Sequence, residues 1–227
     1  MAASAAQILA GGNYEAGAYS LKQIGNVKVY QQENLTISGV LCKIYFDTAD
    51  ADRDAKKEGI RAGVNKVVGL GYSFPNDITF YCSGVNGFQS VAFHREIGGA
   101  RKTTVLLGQS SVNTAGMVGR QGIADQVGTS SKKDYCAAVV VHELGHNLHE
   151  RADEGFFWDP AAGGLPSSID TAMSVSQYAA TNQKELVAEV FTGMAYGITY
   201  NGTVMKMYSD YHGPNPPAAA GGGRHRR

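Results

Sequence analysis

The strongest constraint on the fold is a helix-forming segment that begins near Asp134 and carries His142 and His146. Asp134 suits a helix N-terminus, where a carboxylate meets unpaired N–H groups and the positive end of the macrodipole. At 3.6 residues per turn the two imidazoles fall on one face, one turn apart, with Glu143 beside the first. The residues before them, 137–141, are apolar throughout. This helix is therefore expected to be buried, and its polar side chains need partners inside the protein.

The chain around this helix reads as α+β. Residues 27–32 and 35–46 have strand character, with a hairpin expected at Glu33-Asn34. Residues 50–68 place Ile60, Val64, Val67 and Val68 at helical spacing behind a charged face. Gly59 and Gly63 each cost that helix about 1 kcal/mol relative to alanine. Strands follow at 78–82, 90–96 and 103–107, separated by glycine-containing turns at 83–87 and 98–99. A Ser/Gly/Gln-rich connection, 109–133, leads to the histidine helix. Beyond it, 154–168 reads as a long loop anchored by Phe156, Phe157 and Trp158, and 182–196 as a second strong helix. Residues 1–25 lack periodicity, and the Pro-, Ala- and Gly-rich stretch 214–227 reads as a disordered tail. The expected architecture is one domain over 1–213, with a small mixed sheet packed on the histidine helix and a second helix beside it.

At 227 residues such a domain can bury one sizeable core. Lys+Arg and Asp+Glu both number 20, so bulk charge gives no reason to expect a nucleic-acid or membrane partner. Cys42, Cys82 and Cys136 are odd in number and show no CxxC spacing, which signals neither a disulfide framework nor a cysteine zinc knuckle. The first residues lack the features of a Sec signal peptide, and no apolar run has the length of a membrane span.

His142-Glu143-Leu144-Gly145-His146 matches HExxH, in which two histidines ligate one zinc ion and the glutamate serves as general base. Three protein ligands leave zinc a fourth position for water, so a third ligand is needed. His149 lies on the same face, but roughly 10 Å along the axis from His142, too far to share one ion. It reads as a partly exposed helical residue. The longer pattern HExxHxxGxxH also fails, because His149 and Ala152 occupy its glycine and last histidine positions. The helix at 182–196, capped by Thr181 or Asn182, offers Glu185 and Glu189 one turn apart. A cation would relieve their repulsion, with Glu185 on the metal and Glu189 accepting the outer N–H of a ligating histidine. With Asn182 as cap, Glu185 could instead complete a capping interaction. Ala188, Val190, Phe191 and Met194 read as core.

The blocks HELGHNLH and VSQYAATNQKELVAEVF together resemble the metalloprotease domain of anthrax lethal factor and related toxin-type peptidases, gluzincins with a zincin-like fold. Tyr178, Thr181, Asn182, Glu185, Ala188, Glu189 and Phe191 fall on that family's form Tyr-x-x-Thr-Asn-x-x-Glu-x-x-Ala-Glu-x-Phe. The resemblance implies zinc on His142, His146 and Glu185, general-base catalysis by Glu143, and Tyr178 near the oxyanion, where a hydrogen-bond donor accelerates acyl transfer. The expected function is zinc-dependent endoproteolysis of a protein or peptide substrate. Its rivals are a non-peptidase zinc hydrolase and a non-catalytic zinc-stabilised module. The resemblance leaves open an exported effector and a domain of a longer toxin. In such peptidases substrate adds as a strand to a sheet edge, and 102–108 is the expected edge. Phe156, Phe157 and Trp158 are expected to plug the core in preference to lining the cleft.

Overall fold

The computed structural model describes residues 13–14, 29–47, 50–75, 77–84, 91–97, 100–112, 122–128 and 130–215. Among these residues six strands form one mixed sheet: β1 (Asn13–Tyr14), β2 (Val29–Ile37), β3 (Val40–Asp47), β4 (Ile78–Cys82), β5 (Val91–Ile97) and β6 (Ala100–Leu107), in the order β1-β5-β6-β4-β3-β2. β4 is parallel to both β3 and β6, from Cys42↔Ile78 and Ile78↔Thr103 onward, and the other pairings are antiparallel. All five residues of β4 are buried, as a central strand covered on both faces requires. Parallel β3 and β4 need a crossover, and helix α1 (Arg53–Gly69) supplies it.

The β2–β3 hairpin turns at Ser38-Gly39, where both residues have positive φ, 47° and 81°. That pair of angles gives the tight two-residue turn whose twist suits adjoining strands. The turn expected at Glu33-Asn34 is instead the middle of β2, paired with Ile44 and Lys43. Asn13–Tyr14, placed in an irregular segment by sequence, pairs with Arg95 and Glu96 of β5. β6 lies between β5 and β4, so 102–108 is interior and not the sheet edge.

Among the described residues six further helices follow the sheet: α2 (Ile123–Val127), α3 (Lys132–Ala152), α4 (Glu154–Trp158), α5 (Ile169–Met173), α6 (Gln183–Ala195) and α7 (Gly202–Asp210). Ser131 caps α3 by accepting the Asp134 N–H, and Asn182 caps α6. α4 replaces the first part of the loop expected at 154–168, its start capped by Asp153. α1 packs tightly along α3: a Cβ on Gly59 would lie 2.5 Å from Cys136 Cβ, and one on Gly63 2.7 Å from Val140 Cγ1. The glycines that cost α1 propensity thus permit its close approach to the histidine helix. Lys56, one turn before Ile60 on the inward face of α1, is fully buried and reaches Asp50 Oδ2 and the Ser83 carbonyl, both at 2.8 Å.

One buried apolar cluster runs from Ile37 to Tyr211 and includes Val190 and Phe191, with Met194 packed against it. Ala188 is fully buried as well. The three cysteines are buried free thiols, and burial pushes Cys42 and Cys136 up to about 12. Pro214 belongs to the fold, since its carbonyl accepts the hydroxyls of Tyr72 and Tyr208 at 2.9 and 2.8 Å. The remainder of the expected tail, 216–227, lies outside the described residues, as do the glycine turns at 85–87 and 98–99. Among the described residues no helix is long and apolar enough to cross a membrane.

Candidate metal centre

α3 is held deep in the molecule by its apolar flank, Val140, Val141 and Leu144, each fully buried. The same turns carry His142 and Glu143, 7% and 6% exposed. α6 crosses beside them. Its N-cap sets the register: Asn182 Oδ1 accepts the Glu185 N–H at 2.9 Å, which leaves the Glu185 side chain one turn into α6 and facing α3.

Three ligand-type atoms converge there. His142 Nε2 lies 3.0 Å from Glu185 Oε2, His146 Nε2 lies 3.2 Å from the same oxygen, and the two Nε2 atoms are 3.1 Å apart. Ligands about 2.0–2.2 Å from one zinc ion in tetrahedral geometry stand roughly 3.3 Å apart, so this triangle has the size a single ion demands. Two imidazole nitrogens and a carboxylate oxygen are also the donor set of a borderline divalent metal. His142, His146 and Glu185 thus form a group that could hold a metal ion.

Glu189, one turn beyond Glu185, stands behind this triangle. Its Oε1 is 2.9 Å from His142 Nδ1. With the Nδ1–H donated to that carboxylate, neutral His142 turns the lone pair of Nε2 towards Glu185 and His146. Lone pairs facing one another at such distances repel unless a cation or a proton lies between them. Burial opposes charge on His142, but hydrogen bonds to Glu185 and Glu189 outweigh it and raise its pKa well above the ordinary value. Glu185, although buried, is held well below the usual carboxylate range by the charge of His146 and the hydrogen bond from His142. The pocket attracts positive charge, which a proton or a metal can supply.

Glu143 and Tyr178 line one cavity with His142, together with Ser110, Gly122 and Asp125. Tyr178 opens a 3₁₀ turn, Tyr178–Ala180, and its ring lies 5.8 Å from that of His142. The sequence-expected residues His142, Glu143, His146, Tyr178, Glu185 and Glu189 are therefore neighbours. His149 is not a partly exposed bystander: it is fully buried, and its Nε2 donates to the Tyr211 carbonyl at 2.7 Å. Phe157 packs edge-on against both His146 and His149, at 6.4 and 5.3 Å, and is core as expected. Trp158, half-buried, donates its Nε1–H to Glu150. Sequence reasoning missed Ser176 and the Ile123 N–H, which both reach Glu189 Oε2. Ser176 lies inside the resembling block, yet no spacing rule joins it or Ile123 to Glu189.

No protein-family model matches the chain, and no curated protein matches it.

Proposed function

We propose that the protein is a zinc-dependent metalloendopeptidase with a zincin-like fold, of the gluzincin type. The observation that carries this reading is the convergence of His142 Nε2, His146 Nε2 and Glu185 Oε2 beside a cavity lined by Glu143 and Tyr178. A zinc ion held by those three atoms would supply Lewis acidity and lower the pKa of water towards about 7. Glu143 takes the proton of the attacking water and returns it to the departing amine. Tyr178 donates its hydroxyl hydrogen bond where negative charge develops on the carbonyl oxygen. Glu189 holds the His142 ring in the orientation that presents Nε2. A purely structural zinc site needs neither Glu143 nor Tyr178, which favours catalysis over a zinc-stabilised binding module.

The substrate strand cannot add to β6, which lies between β5 and β4. The outer strands of the sheet are β1 and β2, and an extended peptide adds at an outer strand. The resemblance to toxin-type peptidases supports an effector acting on a protein target. The test is cleavage of a diverse peptide library, read by mass spectrometry. The zinc-loaded protein is expected to cut internal peptide bonds, and chelator or Glu143→Gln to abolish the cuts. An absence of cleavage, or cuts that survive Glu143→Gln, would refute the reading; hydrolysis confined to non-peptide amides or esters would favour the broader zinc hydrolase.

A further inference from the structure

Three parts of the molecule meet on the Glu189 carboxylate, which is 2% exposed. Oε1 faces His142 Nδ1 at 2.9 Å. Oε2 accepts the Ser176 hydroxyl and the Ile123 backbone N–H, each at 2.6 Å. Ser176 Oγ also accepts the Ala179 N–H at 2.9 Å, which ties it to the turn bearing Tyr178. On the other side, Ile123 opens α2, and the start of α2 is pinned by Asp125. The Asp125 carboxylate accepts the Gly122 N–H at 3.0 Å and the Tyr135 hydroxyl at 3.1 Å. Tyr135 lies on α3, the helix of His142, so the hydrogen bonds, together with α3 itself, close a ring that includes Glu189 and His142.

Gly122 is a second, independent mark of this arrangement. A Cβ there would lie 3.1 Å from Glu189 Oε2 and 3.3 Å from Oε1. Its backbone, φ −94° and ψ 174°, is open to any residue. An added Cβ would therefore press on the carboxylate, which would have to give by a few tenths of an ångström, while the backbone conformation itself would accept it. Glu189 is held by donors on both oxygens, so any push from this side passes to the His142 ring.

We propose that Ser176 and Gly122 are positioning residues of the metal centre, which together seat Glu189 and through it set the orientation of His142 and the placement of the Tyr178 turn. This rests on the reading of His142, His146 and Glu185 as metal ligands. Loss of the Ser176 hydroxyl leaves a buried carboxylate oxygen with one donor fewer, and the carboxylate then relaxes away from Nδ1. Partners of this outer kind typically cost about 10- to 100-fold in metal affinity or activity when removed.

The experiment measures zinc affinity by chelator competition, and the visible spectrum of the cobalt-substituted protein, in the full chain and in Ser176→Ala, Gly122→Ala and Gly163→Ala. Gly163, with nothing within 4 Å of an added Cβ, is the control. Affinity is expected to fall about tenfold or more in Ser176→Ala and Gly122→Ala, with a changed cobalt spectrum, and to stay at the parent value in Gly163→Ala. Should Ser176→Ala not fold, Ser176→Cys, a weaker donor of similar shape, is expected to show an intermediate loss. Parent-like affinity and spectrum in folded Ser176 and Gly122 variants would overturn the proposal while leaving the metal centre standing. A parent that binds no zinc would overturn the metal centre itself and this proposal with it.

Discussion

At Glu185 the backbone and the side chain do different things: the N–H completes the Asn182 cap, while the carboxylate reaches both histidines. The side chain therefore does not complete the capping interaction that the sequence left open; only the backbone N–H takes part in the cap. Glu143→Gln should cut peptidase turnover by about 10²- to 10⁴-fold while zinc content is retained, since Glu143 is not among the converging ligand atoms. Tyr178→Phe should lower kcat by about 10²- to 10³-fold with KM little changed, as steady-state kinetics on a cleaved peptide will show. His149 gives a pH prediction. Burial pushes it down to about 4, below its ordinary 6.5, so the unfolded chain takes up the proton first. Its contribution to stability is fully present above about pH 6.5 and is lost as pH falls towards 4, by about 3 kcal/mol in all. Urea unfolding at pH 7 and pH 4.5 should show a smaller acid penalty in His149→Gln than in the parent. An equal penalty in both would contradict this. The histidine pair was legible because helical spacing is local. The burial of His149 was not, because its acceptor, the Tyr211 carbonyl, arrives 62 residues downstream.

Among the elements, α1 and α3 show how a local cost can be a packing requirement. Gly63→Ala removes a propensity penalty of about 1 kcal/mol, but its Cβ would meet Val140 at 2.7 Å and the Ala137 carbonyl oxygen at 2.9 Å. Backbone cannot yield as a side-chain tip can, so the net effect should be destabilisation of about 1–3 kcal/mol. Gly69→Ala, with open space at its Cβ, should be neutral or slightly stabilising. Thermal melts of the two variants check the contrast, and a Gly63→Ala protein as stable as the parent would contradict the packing account. Helix α1 was legible from apolar periodicity, α3 from its apolar run although its cap is Ser131 and not Asp134, α6 from its Asn182 cap, and β4 from its short apolar run. The β2–β3 turn lies at Ser38-Gly39, a turn-type dipeptide in its own right, which reading 35–46 as one strand passes over. Strand order was missed because hydrophobic pattern does not encode it: β6 follows β5 in sequence but lies inside the sheet. The short helices α2, α5 and α7 have too few residues for a periodic signal, and α7 is announced only by its Asn201 cap.

Across the whole molecule, the candidate centre joins α3 to α6 through groups far apart in sequence, and Glu189 extends that link to α2 and the Tyr178 turn. A metal bound there ties these elements together, so its removal should loosen the molecule as well as silence it. Free zinc at a hundred times its Kd should add about 2.7 kcal/mol to stability, read as a rise in Tm that chelator reverses. Two resembling blocks made the site legible, whereas the frame around it had to be built from contacts that only the folded chain reveals. The most direct test is calorimetric titration of zinc into the chelator-stripped protein and into Glu185→Ala, with circular dichroism to establish that both are folded. The account predicts one zinc per chain in the parent and a loss of affinity of about a hundredfold or more in the variant. Absence of binding in the parent, or equal affinity in both, would contradict it.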